Sequence, residues 1–268
     1  MTESQTAHPG KNEVQSYWNA HPCGTQFTEL SWGSKQFFDE VERFRYETQP
    51  FMNSLIGFER YRGRSVLEVG CGLGTDLLQF ARAGAVTTGV DLTPNSVDLV
   101  KRRFSLEGLP VDARVADAEH LPFEDNQFDV VYSFGVLHHT PNTQQAVDEV
   151  YRVLKPGGEA IVMLYHKTSV HVLLGVPLFA AYRVLKGRNG NLSAAEDWIR
   201  LYDGSENPLG KAYSKKEVRQ MFGKFRSLHF DLCDPVRRRF PAWINAVNQS
   251  LLAPYLGFYL ITRATKQP

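Results

Sequence analysis

The sequence predicts one elaborated α/β domain, a largely parallel sheet covered by helices on both faces. Three observations carry this. Between Ser65 and Leu164 short β-branched runs alternate with helix-length segments, the pattern of strands buried on both faces. The first run ends in a glycine-rich turn that leads into a helix. The chain has 268 residues, 43% of them hydrophobic, which suffices for one core with a cap but not for two large independent domains.

Taken in order, residues 1–60 read as a helical extension or lid. Its start, Met1 to Asn12, is polar and lacks the apolar run of an export signal, so a loose tail is expected there. A core segment, 61–165, follows. Ser65 to Val69 is the first strand, with a helix after the glycine turn to about Ala83. Val86 to Asp91 is the second strand, and Thr93 is placed to cap a helix from Pro94 to Glu107 with proline at its first position. Val111 to Ala116 and Phe128 to Ser133 are the third and fourth strands, and a helix spans Thr143 to Leu154. Lys155-Pro156-Gly157-Gly158 predicts a tight turn into a fifth strand, Glu159 to Leu164.

Residues 166–212 carry helical, aromatic-rich material without a strand signal and read as a cap over the core. Within them Val170 to Leu185 is strongly apolar but shorter than the ~20 residues of a membrane span. A buried or cap helix is expected there, with interfacial membrane contact as the alternative. In 213–268 a helix from Ser214 to Phe222 carries a capping box with Glu217, and Phe225 to Asp231 and Leu256 to Thr262 supply two last strands.

Composition narrows the function. Thirty Lys and Arg against 29 Asp and Glu leave a net charge of +1, which disfavours a nucleic-acid partner. Cys23, Cys71 and Cys233 are odd in number and far apart, unlike a disulfide framework or a zinc knuckle, so a reducing, cytoplasmic setting is expected. No metal-ligand motif with readable spacing is present, and no metal is expected.

The chemistry concentrates after the strands. Gly70, Gly72 and Gly74 let the chain turn sharply and let a ligand approach main-chain atoms, while Thr75 departs from the dinucleotide spacing G-x-G-x-x-G. Asp91, about twenty residues beyond the first glycine at the end of the second strand, is placed to accept hydrogen bonds from both ribose hydroxyls of a nucleoside. Asp117 and Ala118 can meet an adenine edge or simply form a turn. Cys71 reads as a small buried filler. His138 and His139 stand where an acceptor would enter, either as hydrogen-bonded core residues or, with His138 first, as a general base.

The segments EVGCGLGTD, GVDLT, ADAEHLPFEDNQFDVVYS and GVLHHTPNTQQAVDEVYRVLKPGG together resemble class I S-adenosylmethionine (SAM) dependent methyltransferases, especially the branch similar to ubiquinone/menaquinone-biosynthesis enzymes. The resemblance runs from about Arg64 to Leu164. It implies a Rossmann-like seven-stranded sheet of order 3-2-1-4-5-7-6 with the last strand antiparallel. It also implies SAM as cofactor, with Glu68, Gly70, Cys71, Gly72 and Gly74 lining its methionine part. Asp91 would hold the ribose, with Leu92, Asp117 and Ala118 around the adenine and Phe134 and Gly135 near the sulfonium. Tyr17 or Trp18, in the N-terminal extension, would stack over the cofactor as part of a lid, with simple core packing as the alternative. The acceptor would be a small molecule, hydrophobic or weakly polar, with its nucleophilic atom open between oxygen, nitrogen, sulfur and carbon. The protein would be a monomer or homodimer with no transmembrane segment.

Overall fold

The computed structural model describes residues 10–187, 194–204, 207–233 and 251–268; the first nine residues of the expected tail lie outside them. Parallel strands β1 (Ser65–Val69), β2 (Val86–Asp91), β3 (Asp112–Val115), β4 (Phe128–Phe134) and β5 (Leu154–His166) form the body of the sheet. β7 (Ser227–Cys233) and β8 (Tyr259–Thr265) complete it in the order β3-β2-β1-β4-β5-β8-β7, with β8 antiparallel to both of its neighbours.

The expected order therefore holds, but the count of seven strands needs correction. An eighth, β6 (Ala212–Tyr213), pairs in parallel with Tyr165 and His166 at the far end of β5. Two residues are too few to leave an alternating pattern, so the sequence showed no strand there. The Lys155–Gly158 segment is likewise no turn ahead of a strand. It is a bulge within β5, where the register with β4 jumps from Phe128↔Leu154 to Val130↔Glu159 and Gly157 takes φ +76.

The sheet is packed on both faces. Val147, Val150 and Val153 of α6 (Thr143–Val153), with Val218 and Phe222 around α9 (Lys215–Met221), cover one side beneath Leu67, Val131 and Val162. Met52, Ile56, Phe58 and Phe80 cover the other, against Val66, Val130 and Ile161. Between β2, β3 and their helices, α4 (Thr75–Arg82) and α5 (Pro94–Glu107), a third cluster holds Leu77, Val97, Val100 and Phe104. The predicted capping box closes as Ser214 Oγ accepts from the Glu217 N–H and Glu217 accepts from the Ser214 N–H.

The apolar stretch is α7 (Val170–Leu185), followed by α8 (Ala194–Arg200). It is a helix, but not a buried one, since Val172 and Gly175 alone are buried in it. Among the described residues no helix is long and apolar enough to cross a membrane.

One electrostatic joint ties β1 to β4. Asp129 Oδ2 accepts from the Ser65 N–H (2.9 Å), the Ser65 hydroxyl (2.7 Å) and Lys155 Nζ (2.9 Å). Burial opposes ionisation there, yet the Ser65 bonds and the Lys155 charge bring the Asp129 carboxyl from 3.8 down to about 2. Its stabilisation is present above 3.8 and is lost as pH falls through about 2. Asp129→Asn is expected to cost about 1 kcal/mol at neutral pH, solvent screening included. The gap between variant and wild type in thermal melts should close across that acid window; a gap independent of pH would refute the assignment.

Candidate cofactor and acceptor site

The carboxyl ends of β1, β2, β4 and β5 open into one cavity of about 980 Å³, roofed by α1 (Lys11–Ala20) and by the chain after α8. That is the upper end of the ~300–1,000 Å³ typical of small-molecule sites. Of the residues singled out above, Tyr17, Glu68, Gly70, Cys71, Gly72, Asp91, Leu92, Asp117, Ala118, Phe134, Gly135 and His139 line it. Gly74 and His138 do not.

The glycine turn works by three different means. Gly70 (φ +76) donates to Val90 O at 2.7 Å, and a Cβ on it would lie 2.3 Å from Val136. Gly72 (φ +51) donates to Asp91 Oδ2 at 3.0 Å, and a Cβ on it would meet nothing within 4 Å. Gly74 (φ +68) faces Val100 and Phe104 and only starts α4, so its role is packing. From behind, Arg103 fixes the turn by donating to Thr75 Oγ1 (2.9 Å) and Leu73 O (3.4 Å).

Asp91 is held by its own loop. Oδ1 accepts from the Thr93 N–H (2.9 Å) and hydroxyl (2.8 Å), while Oδ2 accepts from Gly72. Thr93 is the N-cap residue of α5 ahead of Pro94, as predicted, but its hydroxyl donates to Asp91 and makes no side-chain bond to a helix N–H. Burial pushes the Asp91 pKa up against these donors, the state of a carboxylate short of further hydrogen bonds.

Glu68 shows the same want more strongly. It is buried, its Oε2 has no hydrogen-bond partner among the described residues, and burial followed by the nearby Asp76 charge lifts its pKa well above the carboxylate range. A buried orphan acceptor beside an open turn calls for a donor, ideally cationic, from a ligand. Cys71 lines the same wall, and burial, then the Asp91 and Glu68 charges, push its thiol well up, leaving a protonated filler.

Two groups at this end escaped the sequence. Arg45, on α2 (Lys35–Thr48), donates through Nε to Asp76 Oδ1 (3.0 Å) and lies 4.7 Å over the Phe134 ring. Tyr46 (2.9 Å) and Tyr132 (2.8 Å) also donate to Asp76. Lys11 bridges Asp117 and Glu119, the latter at 2.6 Å, while Gln15 Nε2 donates to Leu92 O at 2.8 Å, fastening α1 across the loops after β2 and β3. These contacts join residues 30 to 108 apart in sequence, beyond the reach of any local pattern.

The opposite end is aromatic. Phe134, Tyr165, Tyr202 and Tyr259 line it around one polar pair, His139 and Asp203. His139 Nδ1 lies within hydrogen-bond distance of Leu209 O, so that nitrogen carries a proton, and Nε2 sits 3.3 Å from Asp203 Oδ2. Tyr165 donates its hydroxyl to the same carboxylate (2.7 and 2.8 Å), and the Tyr17 hydroxyl donates to Asp203 O at 3.2 Å. Trp18 packs edge-on against His139 with ring centroids 5.2 Å apart. His138 stands behind this wall. It is fully buried, its ring centroid lies 3.9 Å from that of Tyr165, and neither nitrogen has a hydrogen-bond partner among the described residues. Burial, then the neighbouring His139, pushes its pKa well below the ordinary range.

A glycine turn, a strand-end carboxylate and an orphaned glutamate at the carboxyl ends of an open α/β sheet are the features expected of a nucleoside-cofactor site, including that of SAM-dependent methyltransferases. Comparison with known proteins makes the family explicit. Residues 67–162 match the family model described as a methyltransferase domain. A fatty-acid O-methyltransferase of Mycolicibacterium smegmatis is 30% identical over 220 residues, covering 72% of this chain and 75% of that protein. A sterol 4-C-methyltransferase of Caenorhabditis elegans is 39% identical over 105 residues, 38% of this chain and 31% of that one, so the chain spans about a third of that relative's length. Among solved structures, the magnesium protoporphyrin IX methyltransferase of Synechocystis with bound SAH superposes with a TM-score of 0.61 at 14% identity, covering 96% of this chain and 100% of that one. The chain belongs to the SAM-dependent methyltransferases, and SAM is its cofactor.

Proposed function

We propose that the chain methylates an apolar small molecule that presents a neutral hydroxyl, with Gly70, Gly72, Glu68 and Asp91 seating the cofactor and His139 with Asp203 receiving the acceptor's proton. The observation that carries this reading is the His139–Asp203 pair, 3.3 Å apart, lining the cavity together with four aromatic side chains. Bound SAM supplies an electrophilic methyl group on a cationic sulfonium. The chain's own residues do the rest. Asp91 keeps acceptor capacity for ribose hydroxyls, Glu68 would meet the methionine ammonium and Arg45 its carboxylate, and α1, held by Lys11 and Gln15, would cover the adenine.

At the acceptor end the aromatic rings exclude water and fix the acceptor's apolar body, which places its oxygen in line; such placement is worth up to roughly 7–11 kcal/mol. Because Nδ1 of His139 is committed to Leu209, the released proton goes to Nε2, where the Asp203 carboxylate stabilises it. That carboxylate also disfavours an acceptor that is already an anion. The sterol and fatty-acid relatives named above support the apolar class. The test is a panel of hydroxylated lipids and sterols, fatty acids, thiols and amines incubated with SAM and scored for one added methyl by mass spectrometry. Methylation confined to fatty-acid carboxylates, thiols or amines would overturn the reading.

A further inference from the structure

We propose that the outer face of α7 is a docking surface for an anionic lipid bilayer, on which the protein lies without crossing it. Every exposed position of this helix is apolar. Leu174 is 63%, Leu178 72% and Leu185 86% exposed, and Leu173, Tyr182 and Val184 join them. At about 100° per residue these six fall within one half of the helix circumference, the half that a helix on a soluble surface gives to charged side chains. Sixteen residues span roughly 24 Å, long enough to lie in the headgroup boundary and too short to cross the hydrocarbon.

Charge selects the occupant. Between Glu159 and Glu196 the sequence has no acidic residue but carries Lys167, Arg183, Lys186 and Arg188, in a chain whose net charge is only +1. Arg183 is neutralised by Asp197 at 2.8 Å and Lys167 by Glu217 at 3.1 Å, whereas Lys186, at the end of the apolar stripe, is exposed. An apolar stripe that ends on an exposed lysine complements an anionic leaflet. The helix is also coupled to the cavity. Gly175 admits the Trp198 ring of α8 against the α7 backbone, Trp198 Nε1 donates to His171 O at 2.9 Å, and α8 runs directly into Leu201–Gly204, which line the acceptor end. Resting on the function proposed above, this makes α7 the approach by which an apolar acceptor reaches the aromatic end.

The experiment is co-sedimentation of the full chain with vesicles of phosphatidylcholine alone and of phosphatidylcholine with phosphatidylglycerol. Wild type is expected to bind the anionic vesicles at least tenfold more tightly, and less so as salt rises. Leu174→Glu combined with Leu178→Glu should lose that binding at least tenfold while calorimetric SAM affinity stays within a few-fold, and Lys186→Glu should reduce only the preference for anionic vesicles. Undiminished binding by the double variant, or no binding of wild type to either vesicle, overturns the proposal. A wild-type dimer that the double variant splits, without vesicle binding, also overturns it and assigns the stripe to a second copy. Vesicle binding without methylation of any apolar acceptor would leave the docking standing and remove the acceptor reading alone.

Discussion

Gly72→Val is expected to leave the sheet folded and to weaken SAM binding more than a hundredfold, about 2.7 kcal/mol or more by calorimetry. The position separates ligand binding from folding in a way its neighbours do not. At Gly70 any side chain would collide with Val136, and at Gly74 it would press on Val100, so loss of binding there would report a damaged turn. At Gly72 a Cβ meets no protein atom within 4 Å, so the added branches enter the cavity. The left-handed backbone (φ +51) adds a local penalty of roughly 1–2 kcal/mol, which should appear as a melting point lower by several degrees. A folded variant with wild-type affinity would remove the cofactor from this turn.

His139→Gln is expected to lower kcat on a hydroxyl acceptor by about 10²–10⁴, the usual worth of a positioned base, with SAM affinity changed only a few-fold. Glutamine can still donate to Leu209 O, so the wall is kept while the proton acceptor is lost. The deficit should shrink as pH rises and the acceptor ionises unaided, a trend that a packing defect would not produce. His138→Gln is the control. It places an amide where the histidine has no hydrogen-bond partner among the described residues, so it should lower the melting point and leave the shape of the pH–rate profile alone. Full activity of His139→Gln at every pH would show that placement alone carries the reaction.

The adjacency of these two histidines shows where the sequence stops being informative. Both follow β4, and residue type alone ranks them equally. They diverge because the 3-10 turn Leu137–His139 points one ring into the core beside Tyr165 and the other at Asp203, 64 residues further along the chain. What was legible obeys short-range rules: parallel strands as β-branched runs, α5 from Pro94 to Glu107, the Ser214 capping box, and the spacing from Gly70 to Asp91 that becomes the Gly72–Asp91 hydrogen bond. What was illegible is long-range or very short. Arg45 and Asp76 meet only once α2 lies against α4, Lys11 reaches Asp117 only once α1 crosses the sheet end, and β6 is too brief to register. The last two strands came out two and three residues early, the first because Phe225 looks like a strand residue but is buried in the turn before β7.

The fastening of α1 separates two kinds of stability within one fold. Val14 is its only buried residue, and what secures it is a set of polar contacts: Lys11 and Gln15 reach the loops after β3 and β2, and Asn95, at the start of α5, donates to Asn19 O. The core strands, by contrast, are held by fully buried aliphatic contacts that only global unfolding releases. Lifting α1 breaks these polar contacts, the burial of Val14 and the packing of Trp18 on His139, and leaves the clusters beneath the sheet intact. With the cofactor seated as proposed above, spent cofactor would leave, and fresh cofactor enter, through a local opening of the first helix while the wall behind it keeps its shape.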